Sequence, residues 1–327
     1  MASLTSVFAR AKRGLSRFFF GTNGKKARKR EERRRLRLER QARRSEPAAK
    51  PAAPQRANSV APRSAKSDAG NRAPTNKPRV PRLPAATRDV WRPRRSEPPE
   101  YDGDFLAVWS QKIEFLKDPR FLAAYQRGMN SGHQFGNSAG RLEWRAHTAC
   151  WAATHAKGLP GDFVECGVNT GILSLAVCEY IDFNATGKNF WLFDTFSGIP
   201  EGQASNTEAA RAREENETFY FDCWEIAQRN FAKYPNAHLI RGIVPESLPQ
   251  APVEKVCYLS IDMNLAAPER AAIEYFWPKL VTGAVIILDD YGFDKYQEQK
   301  STMDEFAAQM GTEIMHLPTG QGVLLKI

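Results

Sequence analysis

The sequence predicts an α/β fold built on a doubly wound, mostly parallel sheet, with an antiparallel hairpin at its C-terminal end. Three observations carry this prediction. From residue 162 onward, short segments rich in Val, Ile, Phe and Leu alternate with stretches of helical periodicity. Those short segments are apolar on both of their faces, the pattern of strands covered above and below by helices. The last two apolar segments are separated only by a Pro-Thr-Gly-Gln-Gly turn, close enough to pair antiparallel.

In chain order, residues 104–127 and 140–157 place apolar side chains at helical spacing and predict two leading helices. Gly158, Pro160 and Gly161 break the chain, and DFVECGV (162–168) is the first strand, followed by a helix from Gly171 to Tyr180. NFWLFD (189–194) is the second strand, with a helix over 222–234. AHLIRG (237–242) is the third. KVCYLSID (255–262) is the fourth, preceding a helix at 267–279, and GAVIILDD (283–290) is the fifth, preceding a helix at 297–310. TEIMHL (312–317) and VLLKI (323–327) form the closing hairpin.

Charge divides the 327-residue chain in two. The net charge of +10 conceals 28 Lys/Arg against 8 Asp/Glu in residues 1–100, and 19 against 29 in residues 101–327. A basic arm therefore precedes an acidic globular domain. Residues 2–20 mix Leu4, Val7, Phe8 and Phe18 to Phe20 with arginine and lysine. Residues 25–44 are a charge run, and residues 45–100 hold 11 of the 21 prolines and read as an extended linker. A solvated, disordered tail is one reading of the arm. Attraction of residues 1–45 to an anionic membrane surface or to nucleic acid is the other. Five cysteines, with no C-x-x-C pair, disfavour a disulfide scaffold or a structural zinc site and suit a reducing cytoplasm, with peripheral membrane association left open through the arm.

Ligands of open parallel sheets bind outside the carboxyl ends of the strands. Here those ends carry Glu165 and Gly167, then Asp194, then Asp262, then Asp289 and Asp290. Carboxylates are costly to crowd unless a cation or ligand compensates them. The turn Glu165-Cys166-Gly167-Val168-Asn169-Thr170-Gly171 permits close backbone approach, with glycine spacing unlike that of dinucleotide binders. An acid at this turn suits S-adenosylmethionine, which carries a sulfonium and an ammonium, better than a pyrophosphate. Asp194 is placed to accept ribose hydroxyls. Asp262, Asp289 and Asp290 suit a hard ion such as Mg²⁺; capping of the following helices is the plainer role for Asp262 or Asp290. His133, in the glycine-rich stretch 127–136, is a candidate general base on a loop over the cleft, or else an ordinary loop histidine. Trp144, Trp151 and Trp277 fit helix packing better than a substrate cage.

GDFVECGVNTG (161–171), WLFDTFSGIPEG (191–202), the stretch 258–292 from YLSIDMN to ILDDYG, and TMDEFAAQM (302–310) together resemble the TylF-type macrocin O-methyltransferase family, in order and at matching spacing over 140–327. The resemblance implies a seven-stranded class I methyltransferase sheet, S-adenosylmethionine and Mg²⁺ as cofactors, and a hydroxyl of a small molecule, such as a sugar or natural product, as methyl acceptor. It implies that Glu165, Gly167, Gly171 and Asp194 serve the cofactor and that Asp262, Asp289 and Asp290 hold the metal. The family commonly shows D-x-D-L-Y after the fourth strand, whereas this chain reads Asp262-Met263-Asn264-Leu265-Ala266. A nicotinamide-dependent dehydrogenase shares the sheet but not the glycine spacing. A nucleic-acid methyltransferase finds support only in the arm. A non-catalytic cofactor-binding module tethered by that arm is a further alternative, and a homo-oligomer is compatible with every reading.

Overall fold

An interior strand of the sheet, β3 (Asp162–Cys166), hydrogen-bonds in parallel to β4 (Phe190–Asp194) on one side and to β6 (Val256–Ile261) on the other. This computed structural model describes residues 98–133 and 141–327. The arm, except for residues 98–100, lies outside the described residues, and so do the membrane and nucleic-acid roles read from it. All described residues belong to one compact unit, 81–327.

The other strands are β5 (Ala237–Arg241), β7 (Leu280–Leu288), β8 (Met315–His316) and β9 (Gly322–Leu325). They complete a seven-stranded sheet in the order β5-β4-β3-β6-β7-β9-β8. The first five are mutually parallel, and β9 runs antiparallel to both β7 and β8. The predicted C-terminal hairpin is therefore present, with the last strand inserted between β7 and the edge. The chain reverses its direction of travel across the sheet between β3 and β6, which opens a crevice at their carboxyl ends.

Alternation along each strand feeds two cores. Phe163, Phe190, Leu192, Val285 and Ile287 face one layer. That layer contains α2 (Glu143–Ala156), α3 (Ile172–Tyr180) and α5 (Trp224–Phe231). Val164, Phe193, Leu259, Ile286 and Leu288 face the other, formed by α6 (Ala266–Phe276) and α7 (Gln297–Gln309). Both faces are covered by buried apolar side chains, as the two-sided apolar pattern requires. All five cysteines are buried and free.

Two elements differ from the sequence prediction. Residues 104–127 do not form one helix. Tyr101–Gly103 (β1) and Leu106–Val108 (β2) make a small antiparallel hairpin whose tip holds Asp104 and Phe105 at positive φ. A helix, α1 (Pro119–Met129), starts only after Asp118. Asp118 accepts the Arg120 N–H and Pro119 follows it, a start signal that outweighs the apolar spacing upstream. The second difference is α4 (Ala209–Thr218), which had no apolar stripe to reveal it, because it buries Ala212 and an ion-paired Glu215. Trp144 and Trp277 pack against Phe115 and Phe306, whereas Trp151 is half exposed and stacks on His155.

Candidate active site at the strand ends

Backbone hydrogen bonds align the carboxyl ends of four strands. Gly167 N–H donates to Phe193 O, Asp262 N–H to Cys166 O, and Asp289 N–H to Ile261 O, at 2.8 to 3.0 Å. The residues just beyond these bonds border a cavity of about 520 Å³, the size of a small-molecule site. Its wall contains Glu165, Gly167, Asp194, Asp262, Asp289 and Asp290, so the strand-end acids do converge. Asp104 and Glu215 add to them, against Arg145 and Lys295 as basic groups.

Glu165 lies on β3, buried at 3% exposure. Its Oε1 accepts the Ser174 hydroxyl at 3.0 Å, and its Oε2 is buried without a partner. Burial pushes its pKa up to about 8, the Asp289 and Asp194 charges add to the rise, and the Ser174 bond opposes it. An orphaned carboxylate oxygen beside a cavity calls for a donor or cation from the ligand.

Asp194 lies on the cavity wall and also holds the backbone of the first turn. Its Oδ2 accepts the backbone N–H groups of Val168 and Asn169 at 2.6 and 2.8 Å, and its Oδ1 accepts that of Phe196. The acid thus clasps the first turn to the second strand, and those turn N–H groups point at Asp194. Gly171, at φ 97°, precedes α3 away from the cavity lining, and an added Cβ would meet the Phe231 ring at 2.7 Å. His133 is not on the cavity wall. It follows α1 and the Gly132 turn, where burial holds its pKa below the ordinary value against a bond with the Met129 backbone.

Asp262, Asp289 and Asp290 bring one carboxylate oxygen each within 4.8 Å of the others. Burial raises Asp262 well above the usual carboxylate range, and the charges of Asp289 and Asp290 raise it further. Burial and the Asp289 charge push Asp290 up to about 7. Three hard oxygen donors, too close to be comfortably ionised together, fit a divalent cation such as Mg²⁺.

Sequence reasoning missed the groups that complete this wall. Arg145 reaches Asp104 through Nε and Nη2, at 2.6 and 3.0 Å, and Asp289 through Nη1 at 2.5 Å. Gln321 Nε2 donates to the other Asp289 oxygen at 2.8 Å. Arg145 occupies the same helical stripe as the buried Ala149, Ala152 and Ala156, so an arginine at a core-facing register was its available signal. Also bordering the cavity, Glu215 binds Arg211, Lys295 and the Tyr296 hydroxyl, while Asn264 donates through Nδ2 to Tyr220 at 2.9 Å.

The sheet order, the terminal antiparallel strands and the strand-end cavity define the Rossmann-like fold of class I methyltransferases. The chain belongs to the macrocin-O-methyltransferase (TylF) family, whose model matches residues 128–317. It is 28% identical over 153 residues to the 8-demethyl-8-(2,3-dimethoxy-alpha-L-rhamnosyl)-tetracenomycin-C 4'-O-methyltransferase of Streptomyces olivaceus, a match covering 44% of this chain and 58% of the relative. It is 28% identical to the demethyldecarbamoylnovobiocin O-methyltransferase of Streptomyces niveus over 162 residues, 46% of this chain and 60% of that protein. The chain thus spans about three fifths of the length of these curated relatives. Among solved structures, the O-methyltransferase NovP aligns with a TM-score of 0.49 at 22% identity, over 56% of this chain and 79% of that one.

Proposed function

We propose that this protein transfers the methyl group of S-adenosylmethionine to a hydroxyl of a small molecule of the sugar or natural-product class, aided by Mg²⁺. One observation carries the reading: the unpartnered buried oxygen of Glu165 and the Asp262, Asp289 and Asp290 cluster border the same cavity. The relatives' names, which specify sugar and natural-product O-methylation, support the acceptor class.

S-adenosylmethionine supplies an electrophilic methyl on sulfur, and a divalent ion supplies a charge that orients an acceptor hydroxyl and eases loss of its proton. The chain's own residues bind and orient. Glu165 Oε2 offers an acceptor to the donor's ammonium, and in that role the carboxyl is ionised by its ligand. Asp194 sets the shape of the first turn through its two N–H bonds. Arg145 and Gln321 fix both oxygens of Asp289. Phe193, Leu173 and Ile199 contribute apolar wall that keeps water from the reacting atoms. In the transfer the S–CH₃ bond breaks as the O–CH₃ bond forms, sulfur keeps the electron pair, and the hydroxyl proton passes to solvent water. Asn264 cannot take that proton, since its side chain is an amide. A polyanionic acceptor is disfavoured, because the cavity wall carries more carboxylates than basic groups.

Calorimetry with S-adenosylmethionine, followed by transfer of a labelled methyl to a panel of glycosylated hydroxyl compounds with and without EDTA, tests this. Binding that Glu165→Gln weakens, with EDTA-sensitive product, is expected. Absence of cofactor binding removes the reading, and full turnover in EDTA removes the metal.

A further inference from the structure

We infer that Arg145 is a resident counter-cation of the carboxylate cluster, which holds Asp289 in place, competes with a divalent ion for it, and so couples cation binding to the hairpin tip at Asp104. The inference rests on the reading of Asp262, Asp289 and Asp290 as a cation site.

Arg145 spans the β1–β2 tip and the carboxylate cluster. Its Nε and Nη2 meet both carboxylate oxygens of Asp104 at the β1–β2 tip. Its Nη1 turns instead to Asp289 Oδ2 and stands 3.9 Å from Asp290 Oδ1. The planar fork of the guanidinium makes this division possible, since one edge is spent on the tip and the remaining nitrogen on the cluster. The guanidinium lies over the Phe293 ring at 4.7 Å, and that ring in turn meets Phe105 of the tip edge-on at 5.9 Å. The Arg145 side chain is 14% exposed, so water screens it poorly.

A single positive charge beside three carboxylates compensates them only in part. A divalent ion adds two more and seeks the oxygens of Asp289 that Arg145 and Gln321 now hold. Ion and guanidinium repel one another and share an acceptor, so each weakens the other's hold. Asp104 draws Arg145 the other way, toward the tip. Ion binding shifts Arg145 from Asp289 toward Asp104, which tightens the tip bond. A plain structural staple between helix and hairpin would leave cation affinity unmoved.

The test titrates Mn²⁺ into the full chain, counting free ion by electron paramagnetic resonance, with amide hydrogen exchange over residues 101–108 as a second readout. Arg145→Met is expected to bind Mn²⁺ about tenfold tighter than the wild type, because a nearby positive charge is gone. Arg145→Lys, which keeps the charge but not the fork, is expected to stay within about threefold while the tip exchanges faster. Asp104→Asn, which frees Arg145 for Asp289, is expected to bind Mn²⁺ more weakly. Mn²⁺ is expected to slow exchange at the tip in the wild type but not in Arg145→Met. If Arg145→Met fails to fold, the Lys and Asp104→Asn variants decide alone. Affinity unchanged in the variants, with wild-type binding abolished by Asp289→Ala, overturns the counter-cation role and leaves the cation site standing. No Mn²⁺ binding by the wild type or any variant overturns both.

Discussion

Gly167 sits so close to Asp262 that a Cβ built on it would lie 1.8 Å from the Asp262 carbonyl oxygen. The first turn of the sheet and the end of the fourth parallel strand are thereby packed backbone to backbone, at φ 93° for the glycine. Gly167→Ala therefore meets both strain and overlap. It is expected to destabilise the protein by about 3 kcal/mol or more, since positive φ alone costs about 1–3 kcal/mol. Thermal unfolding of the variant measures this, and a melting temperature equal to the wild type would contradict the packing.

Glu165 links pH to stability. Its folded pKa of about 8 lies above the ordinary 4.5, so the folded state binds a proton that the unfolded state releases. The contribution is fully present below pH 4.5 and is lost as pH rises through 8. Glu269 and Asp290, also raised by burial, act in the same direction. The ligand-free protein is expected to lose melting temperature between pH 5 and pH 8.5, with a shallower slope in Glu165→Gln.

Asp194→Ala is expected to cost about 2–4 kcal/mol, because the Val168, Asn169 and Phe196 N–H groups lose their acceptor. Loss of S-adenosylmethionine binding should accompany it through distortion of the first turn. Denaturant unfolding and calorimetry on one preparation separate the two effects, and an unaltered unfolding midpoint would count against the clasp.

Asp262→Asn and Asp289→Ala are expected to abolish Mg²⁺-dependent turnover while leaving cofactor affinity within about threefold, since neither residue is assigned to the methyl donor. Equal loss of cofactor binding in both variants would mean that the cluster serves the donor instead.

The parallel strands were legible because each is apolar on both faces and ends in a charged or glycine residue, as in DFVECG and GAVIILDD. The strand-end acids could be named for the same reason: a parallel sheet delivers its carboxyl termini to one edge. Asp104 and Arg145 were not legible. Asp104 reaches the site through a three-residue strand pair with no periodicity of its own, and Arg145 through a helix whose apolar stripe is alanine. Helix α4 escaped because its inward face is ionic. The main-chain bonds of Asp194 were hidden in backbone geometry, since a side chain that accepts three main-chain N–H groups leaves no mark on residue spacing.

The five buried thiols have a use outside any reaction. Burial pushes Cys150, Cys223 and Cys257 up to about 12, and it raises Cys166 and Cys178 well above the ordinary thiol range as well. An alkylating reagent near neutral pH meets neither an accessible sulfur nor an ionised one while the fold is closed. The pace at which labels accumulate thus becomes a clock for opening of the sheet, and a compound that slows it declares itself a binder before any product has been identified.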